Sequence, residues 1–275
     1  MPTHPLFKIT CLAAFTVAFA ITASSALAQA ATAPAKAPVA PAAPAAPAKP
    51  ALKLPPQPPD LAAPKLDAAT GQPSTVFLAK HEAFVKTAQE AKAQVVFLGD
   101  SITAGWAGNG KEVWAKAFGP WAPANFGIGG DRTQHVLWRI ENGELDGLKP
   151  KAAVLMIGTN NAGTDPAEGI AKGVTKIVET IRKKLPATKV LLLAVFPRGE
   201  KASPNPGRAK LMEVNAIIAR LHDGKHVFFL DIADKFLQPD GSLTKEIMPD
   251  FLHLSPAGYQ IWADAITPKL VELTK

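Results

Sequence analysis

The stretch Gln94-Val95-Val96-Phe97-Leu98-Gly99-Asp100-Ser101-Ile102-Thr103 decides how this chain is read. Val95–Leu98 are apolar without alternation, and the run stops at Gly-Asp. Such a run suits a strand buried on both faces of a parallel sheet. The pattern recurs in Ala152–Gly158 (AAVLMIG), in Lys189–Phe196 (KVLLLAVF), which Pro197 stops, and in His226–Asp231 (HVFFLD); Pro123–Gly127 (PANFG) is a shorter candidate. Helical periodicity fills the gaps. Asp165-Pro166-x-Glu168 supplies a cap, a first-turn proline and a capping acid. It opens residues 170–185, where Ile170, Val174, Ile177, Val178 and Ile181 share one face. Residues 132–142, 207–222 and 256–273 read the same way, the last opened by Ser255-Pro256. Strands alternating with helices predict right-handed crossovers and a parallel sheet covered on both faces, with ligands collecting at the carboxyl ends of the strands.

Chemistry-bearing residues fall at those ends. Ser101 follows the first strand on a strand-to-helix turn, where its own N–H and the helix dipole face developing negative charge. Gly127-Ile-Gly-Gly-Asp131 follows the weak strand; its glycines allow close backbone approach and a second N–H donor. It matches neither a dinucleotide fingerprint nor a Walker loop. Asn160, in Gly158-Thr-Asn-Asn161, offers a side-chain N–H. Asp250-Phe-Leu-His253 precedes the last helix, spaced so that the carboxylate holds one ring nitrogen and leaves the other as a base. Each alone has an ordinary reading as a cap, a turn or solvated surface. All four in one chain, each at a sheet end, favour a single site. Asp131 and His135, four apart, read as a structural pair.

Composition bounds the alternatives. The 275 residues are 47% hydrophobic, enough for a sizeable core and against global disorder. The single cysteine, Cys11, excludes a disulfide framework and a thiolate zinc site. No cofactor or metal is signalled. Lys8, the apolar run 9–23 and Ser24-Ser-Ala-Leu-Ala28 form an export-signal pattern over residues 1–28, too short for a bilayer span. The expected address is periplasmic or secreted, with no membrane span once the signal is cleaved. Residues 30–51 hold 12 Ala and 6 Pro, which reads as a semi-rigid disordered tether over 29–65, with reach through a cell-wall layer as one use. Five of the 30 basic and one of the 23 acidic residues lie in positions 1–65, so residues 66–275 carry 25 against 22. A net +3 is no nucleic-acid footprint.

With these residues in view, the chain resembles the SGNH, or GDSL, hydrolase family. The family's four blocks stand as Gly99-Asp100-Ser101-Ile102, Gly130, Asn160 and Asp250-x-x-His253. Asn125–Glu144 (NFGIGGDRTQHVLWRIENGE), Gly158–Asn161 and Asp250–Tyr259 (DFLHLSPAGY) are similar to the catalytic subunits of intracellular platelet-activating-factor acetylhydrolases. The resemblance covers about residues 75–275. It implies a three-layer α/β/α, flavodoxin-like domain around a parallel sheet of about five strands, with serine esterase activity. It implies Ser101 as nucleophile, His253 as base and Asp250 as its partner. The N–H groups of Ser101 and Gly130 and the side chain of Asn160 would form the oxyanion hole.

From position alone, Ile102 after the nucleophile and Leu252 before the histidine are expected to crowd the acyl side and favour acetyl groups. The expected substrate is a carbohydrate or small-molecule acetyl ester. A lysophospholipase or thioesterase of the same family, or a non-catalytic wall-tethered carbohydrate-binding protein, are the alternatives. An ordinary α/β-hydrolase is excluded, since its elbow needs Gly-x-Ser-x-Gly. The sequence leaves a homodimer open.

Overall fold

Five of the apolar runs become strands because each can be covered by helices on both sides. The structure is a computed structural model and describes residues 52–90 and 92–275. The expected export signal and the alanine- and proline-rich stretch through residue 51 lie outside them. In chain order the elements are α1 (Thr75–Glu90), β1 (Val95–Gly99), α2 (Ser101–Ala104), α3 (Lys111–Phe118), β2 (Ala124–Gly127), α4 (Thr133–Arg139), β3 (Ala152–Met156), α5 (Ala167–Lys184), β4 (Lys189–Leu193), α6 (Pro206–Ile218), β5 (Val227–Leu230) and α7 (Pro256–Leu273). All strand pairs are parallel, in the order β2-β1-β3-β4-β5. This is the flavodoxin-like order, with its switch point at β1.

β1 and β3 are buried along their whole length, as uninterrupted apolar runs require. One helical layer has α4 against α5 and α5 against α6; the other pairs α3 with α7. Under the start of α2 lies an aromatic cluster. Trp106 packs against Tyr259 at 4.5 Å between ring centroids and against Trp262 at 4.9 Å, and Phe97 against Trp114 at 4.8 Å. Such pairs add to plain area burial, and here they anchor α7 beneath the turn that carries Ser101.

Three details differ from expectation. α5 starts at Ala167, and Asp165, expected as its cap, instead accepts from Asn161 (3.2 Å) and Thr164 (2.9 Å) side chains. The helix expected over 132–142 is regular only to Arg139, because Gly143 at φ +101° turns the chain toward Glu144. The tether expected through residue 65 stops short of it. Residues 57–65 lie on the domain: Thr133 Oγ1 donates to the Pro59 carbonyl (2.8 Å), Gln134 Nε2 to that of Gln57 (3.1 Å), and Ala63 N to that of Gln134 (3.2 Å). Proline fixes φ but leaves carbonyls free to accept, so a proline-rich segment can serve as a hydrogen-bonded strap.

Where β2 leaves the sheet it touches α2, and a Cβ at Gly127 would overlap the Ala104 amide. Gly127→Ala should therefore lower the urea midpoint by the equivalent of about 1–3 kcal/mol, as overpacking does. A parent-like midpoint would contradict this close approach.

Candidate active site

Ser101 is the first residue of α2, directly after β1. As the first helical residue its N–H has no acceptor within the helix, and it makes no hydrogen bond among the described residues. Asp100 caps this turn; its Oδ1 accepts from Ile102 N at 2.9 Å. The Asp100 side chain is fully buried and its Oδ2 is unpaired among the described residues. Burial, reinforced by the nearby Asp131, pushes its carboxyl up to about 7.

His253 arrives from the loop before α7. Asp250 Oδ1 accepts from the backbone N–H of Leu252 (3.1 Å) and His253 (2.7 Å), folding the loop back on itself. Asp250 Oδ2 lies 2.7 Å from His253 Nδ1, and His253 Nε2 lies 2.8 Å from Ser101 Oγ. An ionised carboxylate can only accept, so Nδ1 carries the ring proton and Nε2 is left to accept from the serine hydroxyl. Burial raises the Asp250 carboxyl, but the hydrogen bonds from the His253 side chain and backbone outweigh it and leave it below its usual value. Phe251, between the two, sits at φ +57°, a conformation that costs a non-glycine residue energy and needs outside support. Gly199 N supplies some, donating to the Phe251 carbonyl at 2.8 Å. Tyr259 Oη ties α7 back to α2 through the Ile102 carbonyl (2.6 Å).

The remaining expected donors gather beside Ser101. A Cβ built on Gly129 would stand 3.9 Å from that of Ser101, and Gly130 follows at φ +73°, a backbone region suited to glycine. The Gly130 N–H makes no hydrogen bond among the described residues. Asn160 donates one N–H to the Asp131 carbonyl at 2.9 Å, and a primary amide has a second to offer.

The acyl-side residues fare unequally. The sequence places Ile102 on the acyl wall, but its side chain is 1% exposed and packs in the core, with no surface to offer a substrate. A residue one step into a helix points away from the cleft that the helix start faces. Leu252 is partly buried against the core and keeps some surface.

Several supporting residues carry no motif. Arg139, fully buried, donates through Nε to Asp131 Oδ2 (3.0 Å), through Nη1 to Glu144, and through Nη2 to the carbonyls of Phe126 (3.1 Å) and Gly99 (3.4 Å). Lys65 Nζ pairs with Asp131 Oδ1 at 2.8 Å. Burial pushes the Asp131 carboxyl up, and these two cations oppose it. The pair expected between Asp131 and His135 is loose, at 3.9 Å; His135 instead accepts from Arg132 N at Nδ1 (3.1 Å) and meets Gln57 Oε1 at Nε2 (3.3 Å). Burial and the surrounding cations Lys65, Arg132 and Arg139 push it down to about 3, so it is neutral.

A serine, histidine and carboxylate in line at the carboxyl end of a flavodoxin-like sheet point to one family of ester hydrolases, and the profile of the GDSL-like lipase/acylhydrolase family matches residues 97–261. The chain belongs to this family. It is an ester hydrolase. It is 39% identical over 198 residues to platelet-activating factor acetylhydrolase IB subunit alpha1 of Homo sapiens, covering 72% of this chain and 84% of that one. Among solved structures it is similar to a GDSL-like lipase from Bacteroides thetaiotaomicron (TM-score 0.58, 20% identity, 70% of this chain and 98% of that one). It is also similar to a carbohydrate acetylesterase from Sinorhizobium meliloti (TM-score 0.53, 21% identity, 66% and 100%). At these identities the two structures speak to the fold.

The raised Asp100 carboxyl has a measurable sign. Its value rises from 3.8 toward 7 on folding. Between those values the unfolded chain gives up a proton that the folded one keeps, so stability falls as pH rises through that window and levels off above it. Asp100→Asn retains the cap oxygen and removes the titration. Urea unfolding from pH 4 to 8 should show the stability of the variant relative to the parent growing up to about pH 7 and then holding. A difference independent of pH would contradict the assignment.

Proposed function

We propose that this acylhydrolase removes acetyl or similarly short acyl groups from carbohydrate or small-molecule esters, through an acyl-enzyme on Ser101. The observation that carries the proposal is the unbroken line from Asp250 Oδ2 to His253 Nδ1 and from His253 Nε2 to Ser101 Oγ, at 2.7 and 2.8 Å.

A neutral serine hydroxyl is a weak nucleophile, so its proton must leave as the bond to carbon forms. His253 Nε2 takes it while Oγ attacks the ester carbonyl. Asp250 holds the imidazole in the tautomer that allows this and stabilises the imidazolium that results. The carbonyl oxygen becomes an oxyanion, met by the N–H groups of Ser101 and Gly130 and by the free N–H of Asn160. His253 then gives its proton to the leaving alkoxide, which departs as alcohol. Water enters, loses a proton to His253 and attacks the acyl carbon. Collapse returns that proton to Ser101 Oγ and releases the carboxylic acid.

Two features support the substrate class. Leu252 adjoins His253 and keeps part of its surface, from where it would narrow the acyl side, in keeping with the acetylhydrolase name of the human relative. A cleft of about 700 Å³ with a mixed lining that includes Glu200, Lys201, Ser203, Asp240, Leu243 and Phe251 adjoins the catalytic loop through Phe251. An aromatic side chain amid hydroxyls and charges suits a sugar better than an acyl chain. The export pattern over residues 1–28 supports a periplasmic or secreted setting, where acetylated polysaccharide is at hand.

Ser101→Ala should abolish both turnover and labelling by a fluorophosphonate while leaving the circular dichroism spectrum unchanged; residual turnover would contradict Ser101 as nucleophile. In a series of p-nitrophenyl esters, kcat/KM should be highest for acetate and fall with chain length. Faster cleavage of octanoate would instead favour a lysophospholipase-like enzyme.

A further inference from the structure

The strap at residues 57–65 reaches the site through one side chain. Lys65 Nζ donates to the Gly129 carbonyl at 2.6 Å and pairs with Asp131 Oδ1 at 2.8 Å, so it straddles Gly130. The Gly129 carbonyl and the Gly130 N–H belong to the same peptide group. That group is planar and trans, so its C=O and N–H point in opposite directions. Holding the oxygen therefore sets where the N–H aims. Gly130 makes such a hold necessary, since a glycine flanked by another glycine has wide freedom to rotate its peptide planes. A cation on the oxygen also draws electron density from the amide, making its N–H a stronger donor, as in any chain of polarised hydrogen bonds.

Lys65 is itself held ready. Its backbone carbonyl accepts from Ser74 N (2.8 Å), Leu66 forms an isolated bridge with Pro73, and the ammonium group lies 5.8 Å from the Phe77 ring centroid. The other side of the loop is fixed independently, by Asn160 on the Asp131 carbonyl and Arg139 on the Asp131 carboxylate. The Gly129 carbonyl has Lys65 as its one hydrogen-bond donor among the described residues.

We infer that Lys65 is a positioning residue for ester hydrolysis: its ammonium group orients and polarises the Gly129–Gly130 peptide so that the Gly130 N–H meets the oxyanion. This rests on the reading of Gly130 and Asn160 as oxyanion donors. It makes the strap a working part of the catalytic machinery, although Lys65 touches neither the nucleophile nor its base in the structure.

The test uses the full chain with p-nitrophenyl acetate as substrate and an alkyl trifluoromethyl ketone as mimic of the tetrahedral adduct. Lys65→Met should lower kcat on the order of 10- to 100-fold, part of the 10²–10³ that a whole oxyanion donor supplies. KM should stay at the parent value, and ketone affinity should fall by the same factor as kcat/KM. Lys65→Arg, which keeps charge and donor, should recover most of the loss. Lys65→Gln, which keeps a neutral donor, should fall between and serves if Lys65→Met does not fold. Asn160→Ala is the reference. If it loses activity while the Lys65 variants keep parental kcat, or lose kcat with unchanged ketone affinity, the inference is overturned and the oxyanion reading stands. If Asn160→Ala and the Lys65 variants all match the parent, the oxyanion reading falls and takes this inference with it.

Discussion

The buried guanidinium of Arg139 joins the parts of the molecule that must stay in register at the catalytic end. It bonds the carbonyls at the ends of β1 and β2, the carboxylate of Asp131 in the loop after β2, and Glu144 beyond the irregular turn. Placing a cation in the interior costs several kcal/mol, offset only if every donor finds an acceptor in good geometry. That condition acts as a constraint: β1 and β2 cannot shift relative to each other, nor can Asp131 swing out, without stranding a buried charge. Ser101 begins directly after β1, and Gly130 directly precedes Asp131. The spacing between Ser101 and the Gly130 N–H is thus set from beneath the cleft, in the dry interior, where relaxation is smallest.

The histidine is positioned by different means. Its loop is held by an aspartate that bonds two backbone N–H groups and the imidazole at once, and by a left-handed Phe251 clasped by Gly199. The aromatic cluster then fixes α7 against α2, with Tyr259 bonding the Ile102 carbonyl. Packing brings the loop to the serine, and hydrogen bonds set the last ångström. A strained Phe251 between Asp250 and His253 fits a site where geometry is imposed by the surroundings rather than chosen locally.

The sheet and the four strand-end loops were legible because apolar runs and their stops report burial directly. Residues 95–98, 152–157 and 190–196 include no polar side chain to place in water, and the loop after each strand must lie at the carboxyl end of the sheet. α1 and α3 drew no reading because each is short of strong signals over its length, although Val113, Trp114, Ala117 and Phe118 share the face by which α3 meets the core and Ser74 Oγ accepts from Phe77 N (3.4 Å) at the start of α1. Ile102 was misplaced because adjacency to the nucleophile in sequence is not adjacency in space on a helix. The strap was hidden by its prolines, whose composition matches the spacer before it; only the partners of Gln57, Pro59 and Lys65, some 64 to 78 positions away, distinguish it. Arg139 and Glu144 stand in plain view, yet charged residues on a helical stretch ordinarily read as solvated. Their burial is a property of the assembled sheet.

The account stands or falls on whether one oxygen can be reached by all three donors while Ser101 is bonded to the substrate. A crystal structure of the protein phosphonylated at Ser101 answers this directly, because the adduct fixes an oxygen where the oxyanion forms. The account predicts that oxygen within about 2.7–3.1 Å of Ser101 N, Gly130 N and Asn160 Nδ2 together, with Lys65 still on the Gly129 carbonyl. An adduct oxygen turned to solvent, with the Gly130 N–H pointing elsewhere, would contradict it.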